Sequence, residues 1–317
     1  MSVLVSTASG KELVRENTAR GEYAIALGCF DGVHIGHARL FSVLSEKANG
    51  KKRAVWTFAP PRDNEICPVK SKPLIFSYEK KLRCLSECGV EYAFLYDFPA
   101  IASLSCEEFV DKILIEECSC GLAVCGYNFT FGKGASGNAE TLKELLAKRG
   151  IETVIVDNVQ INGMSVSSNA IRAALVSGDM ETAEMMLGRE YTVDAPVVSG
   201  KMLGRELGFP TVNQGLMDGG VMLRRGVYVS VCTVDGKKYP AVTNIGVRPT
   251  VSDGEKVNCE THIIGFSGLI YGENVSVALK HFLRDEKRFE SKEELRDTVL
   301  LNIESARIYC KEKLKIN

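Results

Sequence analysis

The chain has 317 residues, 45% of them hydrophobic and 25% charged, with a formal net charge of −1 at pH 7. That length favours two domains over a single core, and so balanced a charge excludes bulk attraction to nucleic acid or to an anionic membrane. Any phosphate must be held locally, by a few side chains and backbone amides.

The first half alternates short apolar runs with amphipathic segments. Strands are expected at Tyr23–Gly28, Arg53–Phe58, Glu91–Tyr96, Gly121–Cys125 and Ile151–Val156, and helices at His37–Ala48, Tyr78–Cys88, Cys106–Cys118 and Ala139–Arg149. Ser105 and Glu108 form a capping box at the start of the third helix. This alternation implies a parallel sheet wrapped by helices. Two further helical segments follow, Ser168–Ser177 and Met180–Leu187.

After Gly188 strands dominate: Tyr191–Val198, Gly226–Val234, Tyr239–Thr243, Glu260–Phe266 and Asn274–Phe282. Asp235-Gly236 is a hairpin signal between two of them. A last helix starts at Ser291, with Glu294 completing a second capping box. The pattern is that of a small antiparallel barrel with a terminal helix, and the boundary between the two characters falls near Leu187.

The 11 cysteines are odd in number and scattered, which fits buried thiols in a reducing compartment. The opening MSVLVSTASGKELVRE lacks a signal-peptide pattern. No apolar run approaches the ~20 residues needed to cross a bilayer, so a cytoplasmic location is expected.

Directly after the first strand stands Gly28-Cys29-Phe30-Asp31-Gly32-Val33-His34-Ile35-Gly36-His37. Gly28 permits close backbone approach and Asp31-Gly32 makes a tight turn. His34 and His37, three apart where a helix begins, can face the same way, at an end that favours phosphate. Taken alone, HxxH could equally hold zinc, with Asp31 as a third ligand, or be a surface accident. The strand before and the helix after favour the phosphate reading. Ser167 and Ser168 open a later helix, with Arg172 one turn on. They are either a second anion site or an ordinary cap with a surface arginine.

The second half opens with Gly200-Lys201-Met202-Leu203-Gly204-Arg205-Glu206-Leu207-Gly208-Phe209-Pro210-Thr211-Val212-Asn213. No Walker A sequence occurs in the chain. A loop rich in glycine, with Lys201 and Arg205, can still wrap phosphates through its amides, or be a plain surface turn. Thr211 and Asn213 are hard oxygen donors of the kind Mg²⁺ prefers, and their spacing on an extended segment puts them on one side.

The first segment resembles the nucleotidyltransferases that carry HxGH, and within them the bacterial bifunctional riboflavin kinase/FAD synthetases, whose G-x-F-D-G-x-H-x-G-H is present unchanged. Gly126–Gly132 and Val166–Arg172 are similar to two more of that family's segments, with Asn128, Thr130 and Asn169 as departures. Thr57–Pro61 lacks the family's histidine between its prolines. The second half is similar to its kinase part in five segments: Gly200–Asn213, Asn244–Thr250, Glu260–His262, Tyr271-Gly272 and Leu283–Phe289. Asn302 stands where the family often has Asp.

The resemblance implies an α/β nucleotidyltransferase-like, Rossmann-like parallel-sheet domain over residues 1–186 that makes FAD from FMN. A small six-stranded antiparallel β-barrel domain with a C-terminal helix follows over 187–317 and phosphorylates riboflavin. ATP serves both reactions, with Mg²⁺ as cofactor, and the partners are the small molecules riboflavin, FMN and ATP. By the same resemblance Glu260 is the kinase base and Thr211 and Asn213 hold the metal. Gly200, Lys201, Gly208, Arg284 and Glu286 bind ATP or flavin there, and His262 reads as structural. In the first domain His34 and His37 are catalytic, while Gly28, Phe30, Asp31, Asn128, Ser167, Ser168 and Arg172 bind ATP or FMN. Two alternatives stay open: a kinase with a weak adenylyltransferase, and a flavin-binding protein without turnover, which would have no need of Glu260. The sequence does not set the oligomeric state.

Overall fold

The computed structural model describes residues 4–8, 21–59, 72–200, 204, 207–249 and 255–316. Lys201 and Arg205, together with Pro60, Pro61 and Thr250, lie outside the described residues. The chain folds as two compact units, Met1–Ser168 and Asn169–Asn317.

In the first unit, strands β1 (Leu4–Ala8), β2 (Tyr23–Leu27), β3 (Lys52–Phe58), β4 (Tyr92–Tyr96), β5 (Cys120–Gly126) and, after the short β6 (Thr130–Phe131) and β7 (Gly137–Asn138), β8 (Glu152–Val156) form the elements around which helices pack. A last pair, β9 (Gln160–Ile161) and β10 (Met164–Ser165), closes the unit. The main sheet has the order β1-β4-β3-β2-β5-β8 and every pairing in it is parallel. All five residues of β2 are buried, as expected of a central strand covered on both faces.

Helix α1 (Ile35–Lys47) buries Leu40, Phe41, Val43 and Leu44, and α2 (Tyr78–Glu87) is capped by Ser77, whose side chain accepts from Lys80 N. After the short α3 (Phe98–Ile101), α4 (Cys106–Glu108) opens with the expected Ser105/Glu108 capping box. The sequence suggested one regular helix here. Instead the chain widens to i→i+5 hydrogen bonding over Phe109–Glu117, which buries Phe109, Val110, Ile113, Leu114 and Ile115. Helix α5 (Ala139–Ala147) adds Leu142, Leu145 and Leu146 to the same core, where each buried Leu or Phe contributes roughly 1.5–3 kcal/mol. Trp56, 2% exposed, sits in this core among Phe58, Tyr96 and Phe109.

The sheet order fixes where a ligand can go. From β2 the chain builds outward through β3 and β4 on one side and through β5 and β8 on the other. The direction therefore reverses between β2 and β5, and open α/β sheets bind ligands beyond the strand C-termini at that reversal.

The second unit contains α6 (Ser168–Ser177) from Asn169 onward, then α7 (Met180–Leu187). Its strands are β11 (Thr192–Pro196), β12 (Thr211–Gly215), β13 (Gly226–Val234), β14 (Lys237–Pro249), β15 (Glu255–Ile263) and β16 (Asn274–Arg284), in the order β11-β16-β13-β14-β15-β12. A bridge between Val198 and Asn213 brings the two edges together, so this antiparallel barrel is nearly closed. Composition changes at Leu187, but packing places α7 with the barrel: buried Lys280 of β16 pairs with Glu184 at 2.8 Å and Glu190 at 2.9 Å, and His281 with Glu181 at 2.7 Å.

The barrel strands have two faces. Inward lie Tyr228, Ser230, Thr243, Thr261 and Cys259, all fully buried, with Ser230 Oγ 2.7 Å from Thr243 Oγ1 and the latter 2.9 Å from Thr261 Oγ1. On the other face Val229, Val231 and Val242 meet Ile303, Ala306 and Cys310 of the terminal region, where α8 (Lys292–Tyr309) begins at its Ser291 cap. Ser291 accepts from Glu294 N, but the Glu294 carboxylate takes Glu290 N, so the expected box is half formed. Among the described residues no helix is long and apolar enough to cross a membrane.

Candidate functional sites

The first site lies beyond the C-termini of β2 and β5. After β2 the backbone enters the left-handed region at Phe30 (φ 51), Gly32 (φ 78) and Val33 (φ 40). A β-branched residue there is strained, and such strain concentrates at functional loops. Phe30 is buried against Gly28, where a Cβ would stand 3.1 Å from the ring, and underlies His37 edge-to-face at 5.2 Å.

His34 is the N-cap of α1, its Nδ1 accepting from His37 N at 3.3 Å. The proton of a neutral His34 therefore sits on Nε2. The two imidazoles stack with centroids 3.6 Å apart, and Gly36 leaves room for this, since a Cβ would lie 3.1 Å from the His34 ring. Burial pulls the His34 pKa down to about 4, and burial with the neighbouring His34 and Lys81 pulls His37 well below its ordinary value. At neutral pH both rings are uncharged N–H donors at a helix N-terminus, where the dipole favours an anion. His37 Nδ1 is buried with no hydrogen-bond partner among the described residues.

Asp31 is 6% exposed. Its carboxylate accepts from Ile75 N at 3.1 and 3.2 Å and its carbonyl from Ser168 Oγ at 2.9 Å. Asp31 is thus a brace that ties the loop to the start of α6. No cluster of three metal-ligating side chains occurs among the described residues, so the geometry gives the zinc reading no third ligand there. Asn128 is exposed in a turn closed by Phe129 N to Gly126 O, 3.0 Å, just past β5. Ser167 adjoins Ser168. Arg172 belongs to the second unit, where its guanidinium donates to Asn169 Oδ1 at 3.1 Å.

Sequence reasoning missed Lys81 and Thr57. Lys81 Nζ donates to Thr57 Oγ1 at 2.8 Å, and Thr57 Oγ1 donates to Cys29 O at 3.0 Å. In the run Tyr78-Glu79-Lys80-Lys81 the lysine reads as a solvated helix face, and no local signal distinguishes it.

The second site is built by strand register. Asn213 of β12 and Asn244 of β14 stand opposite Glu260 of β15 on either side, and Thr211 stands opposite His262. Residues directly opposite share a face, so Thr211, Asn213, Asn244, Glu260 and His262 form one outward patch. Within it Asn258 Nδ2 donates to Asn213 Oδ1 at 3.0 Å and lies 3.4 Å from Glu260 Oε1; no sequence signal pointed to this residue. Gly200 packs on Asn213 so closely that a Cβ would fall 2.3 Å from its Nδ2. The Glu286 carboxylate reaches over Gly246, whose Cβ would lie 2.3 Å from Oε1 and 2.9 Å from Asn244 Nδ2. Arg284 turns to α8, Nε donating to Asn302 Oδ1 at 3.4 Å. His262 Nδ1–H donates to Pro210 O at 2.9 Å, a structural tie. Gly208, at φ 89, makes the turn that leads through Pro210 into β12.

Comparison with known proteins agrees with both halves. The FAD synthetase family model matches residues 16–170 and the Riboflavin kinase family model residues 187–310. The Bifunctional riboflavin kinase/FMN adenylyltransferase of Pseudomonas fluorescens is 33% identical over 89% of this chain and 91% of its own. Its counterpart in Bacillus subtilis is 33% identical over 90% and 92%, and that of Escherichia coli K12 34% identical over 86% and 88%. The crystal structure of a Macrolide-efflux Protein from Streptococcus pneumoniae, so named, superimposes with a TM-score of 0.84 at 30% identity, over 96% of this chain and 99% of that one. With both family models matched in order and such relatives aligned along most of its length, the chain belongs to the bifunctional riboflavin kinase/FMN adenylyltransferase family.

Proposed function

We propose that the two reactions divide between the two sites, with Glu260 the general base of riboflavin phosphorylation and His34 and His37 the donors that serve FMN adenylylation, in the cytoplasm. In the first step the ribityl 5′-hydroxyl of riboflavin attacks the γ-phosphorus of ATP, Glu260 takes the hydroxyl proton, and ADP leaves. In the second, an FMN phosphate oxygen attacks the α-phosphorus of another ATP and pyrophosphate leaves, with no covalent enzyme intermediate. The Nε2–H of His34 and an N–H of His37 meet negative charge as it builds on the phosphoryl oxygens.

The observation that carries the kinase reading is the register itself, which sets a carboxylate between two amides on one strand face. Thr211 and Asn213 suit a hard cation such as Mg²⁺. Both offer oxygens on the same side, and Gly200 packs so closely on Asn213 that a methyl there would displace its amide. Such an ion would neutralise phosphate charge. Asn258 meanwhile orients Asn213 and Glu260 relative to each other, while Gly200, Gly208, Arg284 and Glu286 serve the ATP and flavin sites. Around the histidines, Gly28, Phe30, Asp31, Asn128, Ser167 and Ser168 bind or brace ATP and FMN.

One experiment separates the assignments. Glu260→Gln and His37→Ala are each incubated with riboflavin or FMN, plus ATP and Mg²⁺, and the flavins resolved by chromatography. Glu260→Gln is expected to lose riboflavin phosphorylation by ~10²–10⁴ and still turn FMN into FAD. His37→Ala is expected to do the reverse. Kinase activity near wild type in Glu260→Gln removes Glu260 from its role.

A further inference from the structure

Lysines are costly to bury, and two whose charged ends are drawn inward, Lys280 and Lys81, are treated differently. Lys280 is met by Glu184 and Glu190, the ordinary compensation for an interior charge. Lys81 reaches from α2 toward the His34/His37 loop. Among the described residues its ammonium makes a single hydrogen bond, to neutral Thr57 Oγ1, and no ion pair. Asp31, the nearby carboxylate, has both oxygens turned onto Ile75 N. Two of the three ammonium donors thus have no protein acceptor among the described residues. The residue as a whole is half-buried, yet its charged end is deep enough that burial pulls its pKa down to about 8, against the opposing fields of Cys29 and Asp31. A fold has no reason to keep so poorly compensated a cation unless something else completes it.

We propose that Lys81 is a phosphate-binding cation of the adenylyl-transfer site, donating to phosphate oxygens of ATP opposite the His34/His37 pair. Both imidazoles are neutral, so Lys81 supplies formal positive charge to the loop. As the α-phosphorus gains its bond to the FMN phosphate oxygen and loses its bond to the bridging oxygen, the electron pair leaves with pyrophosphate. The ammonium offsets that charge and transfers no proton. Thr57 holds the amine and the Cys29 carbonyl together and so fixes the lysine relative to the loop.

The inference rests on adenylylation residing at the His34/His37 loop, and the test keeps the two apart. In the full chain, Lys81→Met is expected to lower kcat/KM for ATP in FAD formation about 100-fold and leave riboflavin phosphorylation by the same preparation within twofold. Lys81→Arg should recover at least tenfold of that loss. Adenylylation within threefold of wild type in Lys81→Met, with His37→Ala inactive, overturns the role of Lys81 alone. If His37→Ala also adenylylates normally, the loop assignment itself falls. The emission of Trp56, the only tryptophan in the chain, reads stability in the same unit. A urea midpoint unchanged or raised in Lys81→Met is expected, since an undercompensated charge has gone, whereas a lowered midpoint marks a packing residue and overturns the proposal. The groups facing the amine are Asp31, Cys29 and His37. Wild-type kcat/KM should therefore fall as pH rises through about 8, a limb that persists in Cys29→Ser and moves upward in Lys81→Arg. An alkaline limb at the same pH in Lys81→Arg refutes the assignment.

Discussion

His34 couples the chemistry of its loop to the stability of its unit. It is 6% exposed, and burial sets its pKa near 4 in the folded chain against about 6.5 when unfolded. Between those values the unfolded chain binds the extra proton, so stability is present above pH 6.5 and lost as pH falls toward 4. For one group this amounts to about 3 kcal/mol. We predict that the urea midpoint read by Trp56 emission drops across this window and that the drop is smaller in His34→Gln. An equal drop in both proteins would assign the acid sensitivity to other groups. At this scale the HxGH pair, Asp31, Glu260, Thr211 and Asn213 stand out as candidates in the sequence, because each sits in a short segment of residue types that the proposed chemistry requires. Lys81 and Asn258 were not, because their meaning comes from partners distant in sequence, Thr57 and Asn213 among them.

At the scale of elements, alternating apolar runs and cap residues gave β2, β3, β4, β5, β8 and the helices between them to within a few residues. The sequence shortened β14 to Tyr239–Thr243 and began a strand at Glu260, whereas β14 runs to Pro249 and β15 starts at Glu255. The missing parts contain Asn244, Gly246 and Asn258, residue types that disfavour strands and here serve the site. Their extended conformation is imposed by pairing on both sides. The same logic locates a sensitive glycine. Gly200→Ala would push its methyl into Asn213 Nδ2, so the amide must turn. We predict that the Mg²⁺ concentration for half-maximal kinase activity rises about tenfold while FMN adenylylation keeps its metal dependence. An unchanged Mg²⁺ titration would detach Asn213 from metal binding.

For the whole molecule, the division by packing at Ser168 and by composition at Leu187 suggests where the chain can be cut. Residues 188–317 alone would strip Glu184 from Lys280 and Glu181 from His281. Lys280 would keep Glu190 at 2.9 Å, so the larger loss is the burial of Met180, Ala183, Met186 and Leu187 of α7, each Met or Leu side chain contributing roughly 1.5–3 kcal/mol. We predict that a fragment of residues 169–317 melts cooperatively and phosphorylates riboflavin, and that one starting at 188 is markedly less stable by thermal denaturation. A folded 169–317 fragment that binds riboflavin without phosphorylating it would mean that the kinase borrows residues from the first unit.

The buried hydroxyls of Ser230, Thr243 and Thr261 join β13, β14 and β15 from inside the barrel, while Asn244 and Glu260 project from the opposite face of the same strands. A slip of one residue would bring valines against those hydroxyls and turn every side chain to the wrong side. Alignment is therefore secured by groups that never meet a substrate. An engineer seeking a kinase for an altered flavin can accordingly randomise Glu286 or Arg284 without disturbing the strand register, provided the inner hydroxyls are left alone.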